Sequence, residues 1–315
     1  MLLLAGRDKG TTRLPEDGHQ LLRGYKSLDL EYRGRPLIVE LIDRLRASGA
    51  FDPIWVAGPE KLCREVFAAQ GAAWNEGVRV ADTDGGFGDN LRNGVEAARQ
   101  AHPGQYLGVM TSDVLPDASE LTEAIEDFRS HSPLNFWMSE IPIPKDLGAL
   151  GQSAWKPKYH VRPRGESEIL PVLPGHLVIV DPPVIRLHLI YKIFDLAYRT
   201  RNRSVADRWW DIVRGALGVL LGEDLRRLLR GRLPASPAMV YHGLYLGRRL
   251  RRGSVEQEVL EERLDKIWSD DRHRRRHPER QGRVALLDAL SLARDIDTVE
   301  EARELMASDE DPAPA

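Results

Sequence analysis

Apolar residues follow two alternating rhythms along the first 140 positions. Short unbroken runs, Met1-Leu-Leu-Leu-Ala5, Ile54-Trp-Val-Ala57 and Tyr106-Leu-Gly-Val-Met-Thr111, read as buried strands. Between them Leu37, Leu41 and Leu45, with Ile38 and Ile42 beside them, recur at helical spacing over 36–46, and Pro36 falls in the first turn, where a missing N–H costs little. Glu60 to Gln70 reads as a second helix, and Leu91, Val95 and Ala98 mark a third. Strand and helix in alternation predict a mostly parallel sheet flanked by helices. Residues 134–181 look strand-rich, with Leu134-Asn-Phe-Trp-Met138 and His176-Leu-Val-Ile-Val180 as apolar runs and Pro142, Pro144, Pro157 and Pro163 between them.

From Pro183 the period becomes helical. Leu189, Ile190, Ile193, Phe194 and Ala197 form one stripe, and Trp209, Trp210, Val213, Leu217, Leu220 and Leu221 form the next. Leu225, Leu228 and Leu229 continue on a third helix. Gly282 to Ala289 is expected to return to the core, as strand or helix, and 309–315 reads as a disordered tail. The expected organisation is a core over 1–182, a helical insertion over 183–280 and a return segment over 281–308.

Composition narrows the class. The 315 residues are 42% hydrophobic and 30% charged, enough for a large core. A formal net charge of -3, from 45 basic and 48 acidic residues, gives no general attraction to nucleic acid or to an anionic membrane. The single cysteine, Cys63, excludes an intramolecular disulfide framework and a multi-cysteine metal site, and reads as structural. The apolar start is too short for a signal-peptide core, and no run approaches the ~18 residues of a spanning helix, so a cytoplasmic protein is expected.

Candidate chemistry begins at the end of the first strand. Gly6, Arg7, Lys9, Gly10 and Arg13 follow it, with Lys26 further on. Glycines let a backbone approach an anion closely, and basic side chains neutralise its charge, which suits a nucleotide triphosphate. A Gly-rich turn with solvated basic residues is the alternative. Asp82-Thr-Asp-Gly-Gly-Phe-Gly-Asp-Asn-Leu91 is a second Gly-rich loop running into a helix, fit to wrap a base or ribose. Ser112-Asp113 lies at the C-terminal end of a predicted strand, where open parallel sheets bind ligands and an aspartate can hold a cation. The alternative for Asp113 is a helix cap. His176 is a candidate for the acceptor side, or a histidine hydrogen-bonded to a neighbouring loop. Lys156, Lys158, Arg162 and Arg164 could grip an acceptor phosphate, but a solvated hairpin accounts for most of them. Asp270 to His277 reads as an exposed loop.

Taken in order, Leu4-Ala-Gly6, Arg13, Lys26, Gly34-Arg-Pro36, Gly88-Asp-Asn-Leu91 and Thr111-Ser-Asp113 resemble the nucleotidyltransferases of the molybdenum-cofactor guanylyl- and cytidylyltransferase type. Asp295-Ile-Asp-Thr-Val-Glu-Glu301 is similar to that family's closing segment, with Val299 and Glu301 replacing the usual Pro and Asp. The resemblance covers roughly the first 140 residues and the stretch after about residue 280. It implies a glycosyltransferase-A-like (Rossmann-like) α/β fold, and the helical insertion resembles one in a branch of the same superfamily.

The resemblance also implies roles. Leu4, Ala5, Gly6, Arg7, Gly10, Arg13 and Lys26 would bind nucleotide, with Arg13 and Lys26 acting catalytically on the triphosphate. Gly88, Asn90 and Asp113 would complete the nucleotide site, and Asp113 and Asp297 would bind Mg²⁺. Arg7 stands where the family has a second glycine, and about two extra residues precede Arg13. The expected reaction moves a nucleoside monophosphate from an NTP to a phosphorylated small molecule and releases pyrophosphate. It demands positioning and charge stabilisation rather than a nucleophilic side chain. A glycosyltransferase using a nucleotide sugar and a non-catalytic nucleotide-binding protein are the alternatives. The Trp209-Trp210 pair and the arginines between the helical stripes raise a further option, contact with a membrane surface or a lipid-phosphate acceptor.

Overall fold

The computed structural model describes residues 1–7, 24–146, 150, 158–200, most of 215–251, 253 and 255–310. Gly10, Arg13, Lys156, Trp209, Trp210, Val213 and the tail residues 311–315 lie outside the described residues. The first half runs β1 (Leu2–Leu4), α1 (Lys26–Asp29), β2 (Glu31–Tyr32), β3 (Arg35–Pro36), α2 (Leu37–Ala47), β4 (Ile54–Gly58), α3 (Glu60–Ala68) and β5 (Val78–Asp82). Then come α4 (Phe87–Ala101), β6 (Leu107–Thr111), α5 (Ala118–His131), β7 (Phe136–Pro142), β8 (Tyr159–Arg162), β9 (Leu170–Val180) and α6 (Leu187–Thr200). The rest comprises α7 (Ser236–Arg251), β10 (Val255–Glu256), α8 (Gln257–Trp268), α9 (Asp271–Arg276), β11 (Gly282–Leu286) and α10 (Val299–Glu310).

Among the described residues nine strands form one sheet in the path β10-β8-β9-β6-β1-β4-β5, with β7 bridging β9 and β11. β1 is central, parallel to β4 and to β6. It is buried on both faces, which is why its sequence is an unbroken apolar run rather than an alternation. Leu3 and Ala5 belong to a core shared with α2, α3 and α5, while Leu2 and Leu4 face the opposite way, towards α4 and α6. The stripe of α2 is fully buried, as its spacing predicts. Cys63 is buried, and burial pushes its thiol up to about 12, consistent with a structural residue.

The second half of the sheet turns on β9. This long strand runs antiparallel to β6, β7 and β8, so it joins the parallel half to the strands beyond it. Gly282–Leu286 resolves as a strand, parallel to β7. Val255 and Glu256, within the 183–280 stretch, pair with β8 at the sheet edge, where Arg164 also meets Glu258 and Glu261 of α8. Asp270 to His277 is helical rather than a loop, because the Asp270 carboxylate caps the first turn by accepting from the backbone N–H groups of Arg272 and His273.

One buried group in this region carries a testable cost. Glu140 sits on β7 opposite Pro174, its Oε2 has no hydrogen-bond partner, and burial alone raises its carboxyl to about 7. The fold holds this proton where the unfolded chain, titrating near 4.5, releases it. The stabilising contribution of the acid form is therefore complete below about pH 4.5 and is lost as pH rises through about 7. Glu140→Gln should match the parent near pH 4 and exceed its stability by up to about 3 kcal/mol near pH 8. Urea unfolding at both pH values checks this, and an equal difference at the two would contradict it.

Candidate active site

The C-terminal ends of β1 and β6 lie side by side and open into one cavity. It has a volume of about 150 Å³ and is lined by Leu4, Gly6, Arg7, Lys26, Ser27, Phe87, Asn90, Thr111, Ser112 and Asp113. Six residues expected from the sequence therefore meet here: Leu4, Gly6, Arg7, Lys26, Asn90 and Asp113. Parallel β1 and β6 end together because Leu4 is in register with Thr111. The Ser112 hydroxyl donates to the Leu4 carbonyl (2.9 Å) and lies 2.8 Å from the Ser27 hydroxyl, tying both strand ends to α1.

Ala5 does not line the cavity; its N–H donates to Ala57 and its side chain is in the core. Asn90 is buried beneath the cavity and accepts from the Thr83 hydroxyl (2.7 Å) and the Gly85 N–H (3.1 Å). A Cβ at position 6 would come within 2.2 Å of the Asn90 amide, so the two loops can approach only because residue 6 is glycine. Gly88 is turned away, against α6, where a Cβ would lie 2.5 Å from Asp195 and 2.7 Å from the Tyr191 carbonyl.

The return segment supplies the remaining charge. The Ile296 N–H donates to the Asp113 carbonyl (2.7 Å), which docks 295–297 against the end of β6. Ile296 is buried in the core, while Asp295 and Asp297 on either side of it reach His176 and Lys26. The segment is then anchored by a capping box: Glu301 accepts from the Asp297 and Thr298 N–H groups, and the Thr298 hydroxyl accepts from the Glu301 N–H.

Asp297 forms an ion pair with Lys26 at 2.5 Å. Burial raises the Asp297 carboxyl above its ordinary value; Lys26 opposes the rise, and Asp113 and Asp295 add to it. Asp295 lies elsewhere in the cluster. Its carboxylate is 2.6 Å from His176 Nε2, while His176 Nδ1 is 2.7 Å from the Thr111 hydroxyl. Since a carboxylate only accepts, Nε2 donates to Asp295. His176 thus reaches the site from β9 and holds Asp295.

Asp113, His176 and Asp295 each offer a ligand atom within 4.8 Å of the others. Asp113 Oδ1 is buried without a hydrogen-bond partner. Two carboxylates with an unsatisfied buried oxygen fit a hard divalent cation. Asp295 escaped the sequence reading, which singled out only the aspartate next to Thr298. The signal that could have found it is the two-residue spacing around buried Ile296.

No protein-family model matches the chain, and no curated protein sequence matches it. Among solved structures, a CMP:2-keto-3-deoxy-manno-octonic acid synthetase complexed with CTP aligns over 98% of this chain and 98% of its own, with a TM-score of 0.51 and 12% sequence identity. The chain shares the fold of that synthetase. A weaker likeness is to HddC from Yersinia pseudotuberculosis complexed with GMP-PN, at a TM-score of 0.38 and 14% identity over 60% of this chain and 77% of that one. In this fold the cavity lies at the strand ends where open α/β sheets hold ligands.

The ligand set can be checked by titrating the protein with Mn²⁺ and following the free-ion electron paramagnetic resonance signal. Asp113→Asn and Asp295→Asn are each expected to weaken binding at least tenfold. Asp297→Asn, which removes the partner of Lys26, should change it less than about threefold. Equal losses in all three variants would show that Asp297 is a ligand.

Proposed function

We propose that this chain is a Mg²⁺-dependent nucleotidyltransferase that moves a nucleoside monophosphate from an NTP to a phosphorylated small molecule and releases pyrophosphate. The observation that carries this reading is the convergence of Gly6, Arg7 and Lys26 with Asp113, Asp295 and Asp297 at the ends of β1 and β6. The fold is compatible with it.

In this reading the Gly6 backbone and the Arg7 and Lys26 side chains bind the triphosphate, and Asn90 fixes the loop beneath it. Lys26 is held by Asp297, which sets the ammonium in place before the nucleotide arrives and limits its search among rotamers. Asp113 and Asp295 would hold the cation, with Asp297 beside them. When bound, a cation there neutralises charge on the phosphates. His176, with Thr111, orients Asp295 from the acceptor side. The chemistry is attack of an acceptor phosphate oxygen on the α-phosphorus, so no side chain need act as nucleophile. The proposal also includes the division into a core, 1–182 with 281–308, and helices over 183–280 that cover the acceptor side. No helix among the described residues is long and apolar enough to cross a membrane.

Pyrophosphate release tests the proposal. The protein is incubated with each NTP, Mg²⁺ and pooled sugar and alcohol phosphates. Acceptor-dependent release should fall at least a hundredfold in Asp113→Asn and stop with EDTA. Consumption of nucleotide sugar without pyrophosphate would replace the proposal with a glycosyltransferase, and nucleotide binding without turnover on any pool would leave a binding protein.

A further inference from the structure

A second cavity opens beside the first. It has a volume of about 340 Å³ and lies between the sheet and helices α4 and α6. The two share Leu4, Phe87 and Thr111, so the larger cavity adjoins the site that holds Asp113. His176, hydrogen-bonded to both Thr111 and Asp295, stands at that junction.

The chemistry of the walls is one-sided. Val109, Val178, Tyr191 and Trp268 are typical of them, and none of the described lining residues is Asp, Glu, Lys or Arg. The Tyr191 hydroxyl is directed to Glu96. Polar side chains collect at the Thr111–His176 end, next to the carboxylates. A hydroxyl-rich sugar placed here would lose water without gaining partners, whereas hydrocarbon gains by leaving water. The space is more than twice the ~150 Å³ of an apolar cavity that takes up benzene, and so suits roughly a dozen carbons.

We propose that this cavity holds the hydrocarbon part of the acceptor, which is the monophosphate ester of an apolar alcohol of about ten carbons, unbranched or prenyl. The inference rests on the nucleotidyl-transfer reading for its chemistry and on the cavity for its specificity. With the chain in the apolar cavity, the phosphate lies at the Thr111–His176 end, facing the triphosphate site. A non-bridging oxygen of the acceptor phosphate attacks the α-phosphorus of the NTP; that P–O bond forms, the bond between the α-phosphorus and the α–β bridging oxygen breaks, and pyrophosphate leaves with the electron pair. The product is a nucleoside diphosphate ester of the alcohol. Fully ionised reactants and products carry equal charge, so no proton transfer and no other co-reactant is needed.

The test is an acceptor series on the whole protein with Mg²⁺ and the NTP it turns over or binds: ethyl, butyl, hexyl, octyl and decyl phosphate, geranyl phosphate and glucose 1-phosphate. Pyrophosphate release is followed alongside calorimetric binding of each phosphate in the presence of a non-hydrolysable NTP analogue. Affinity and kcat/KM should rise about fourfold per added methylene until the cavity is full, with decyl or geranyl phosphate well above glucose 1-phosphate. The relative standing of those two separates an unbranched from a prenyl chain. Val178→Phe, which fills the cavity from the sheet, should reduce decyl phosphate binding at least tenfold; an unchanged Kd for the NTP analogue shows that this variant is folded. Turnover of glucose 1-phosphate with no dependence on chain length overturns the inference and leaves nucleotidyl transfer standing. Chain-length-dependent binding that Val178→Phe removes, without pyrophosphate from any acceptor, supports the cavity assignment and overturns the transfer. Neither binding nor turnover of any alkyl phosphate overturns the inference outright.

Discussion

Three carboxylates are forced together at the end of β6, and the site depends on how their repulsion is met. The main-chain bond from Ile296 to Asp113 brings Asp295 and Asp297 to the strand that carries Asp113. Burial raises the carboxyl of Asp297 above its ordinary value, and the neighbouring charges of Asp113 and Asp295 add to the rise. Lys26 answers one charge directly, and the imidazole of His176 donates to another. A buried oxygen of Asp113 remains without a partner. A site with this surplus of negative charge is suited to a divalent cation and, through it, to phosphate.

The same constraint explains the chain's layout. Lys26 opens α1, His176 sits on a strand antiparallel to β6, and Asp295 and Asp297 come from the far end of the sequence. None of these segments could hold its polar groups alone. The capping box of Thr298 and Glu301 fixes the return segment, and the glycine at position 6 lets the end of β1 approach Asn90 closely. The apolar cavity beside them is the other half of the arrangement, because it exists where α4 and α6 stand off the sheet next to Thr111.

Much of the parallel half was legible in the sequence, since β1, β4 and β6 are buried runs and α2 shows a clean helical stripe. The elements that escaped are those whose cause is not periodic. Val255 and Glu256 pair at the sheet edge over only two residues, too short for any alternation to show, and Asp270 makes a helix of a charged run by capping it. Gly282–Leu286 could be read either way until its pairing with β7 decided it. In the site, Asp113 and Lys26 were visible from strand ends and loop chemistry. The grouping of Asp295 with Asp113 and His176 was not, because it depends on Ile296 turning into the core and on β9 running back beside β6. The apolar cavity has no linear signature either, being assembled from strands and helices far apart in the chain.

In the proposed reaction the α-phosphorus, not the γ-phosphorus, is the reacting centre. Parallel reactions with α-labelled and γ-labelled NTP, resolved into acceptor product and inorganic phosphates, read this directly. The account predicts that the α-label passes to the acceptor in a pyrophosphate-linked product while the γ-label appears only in pyrophosphate. Transfer of the γ-label to the acceptor, or retention of the α-label on free nucleotide while acceptor is consumed, would contradict it.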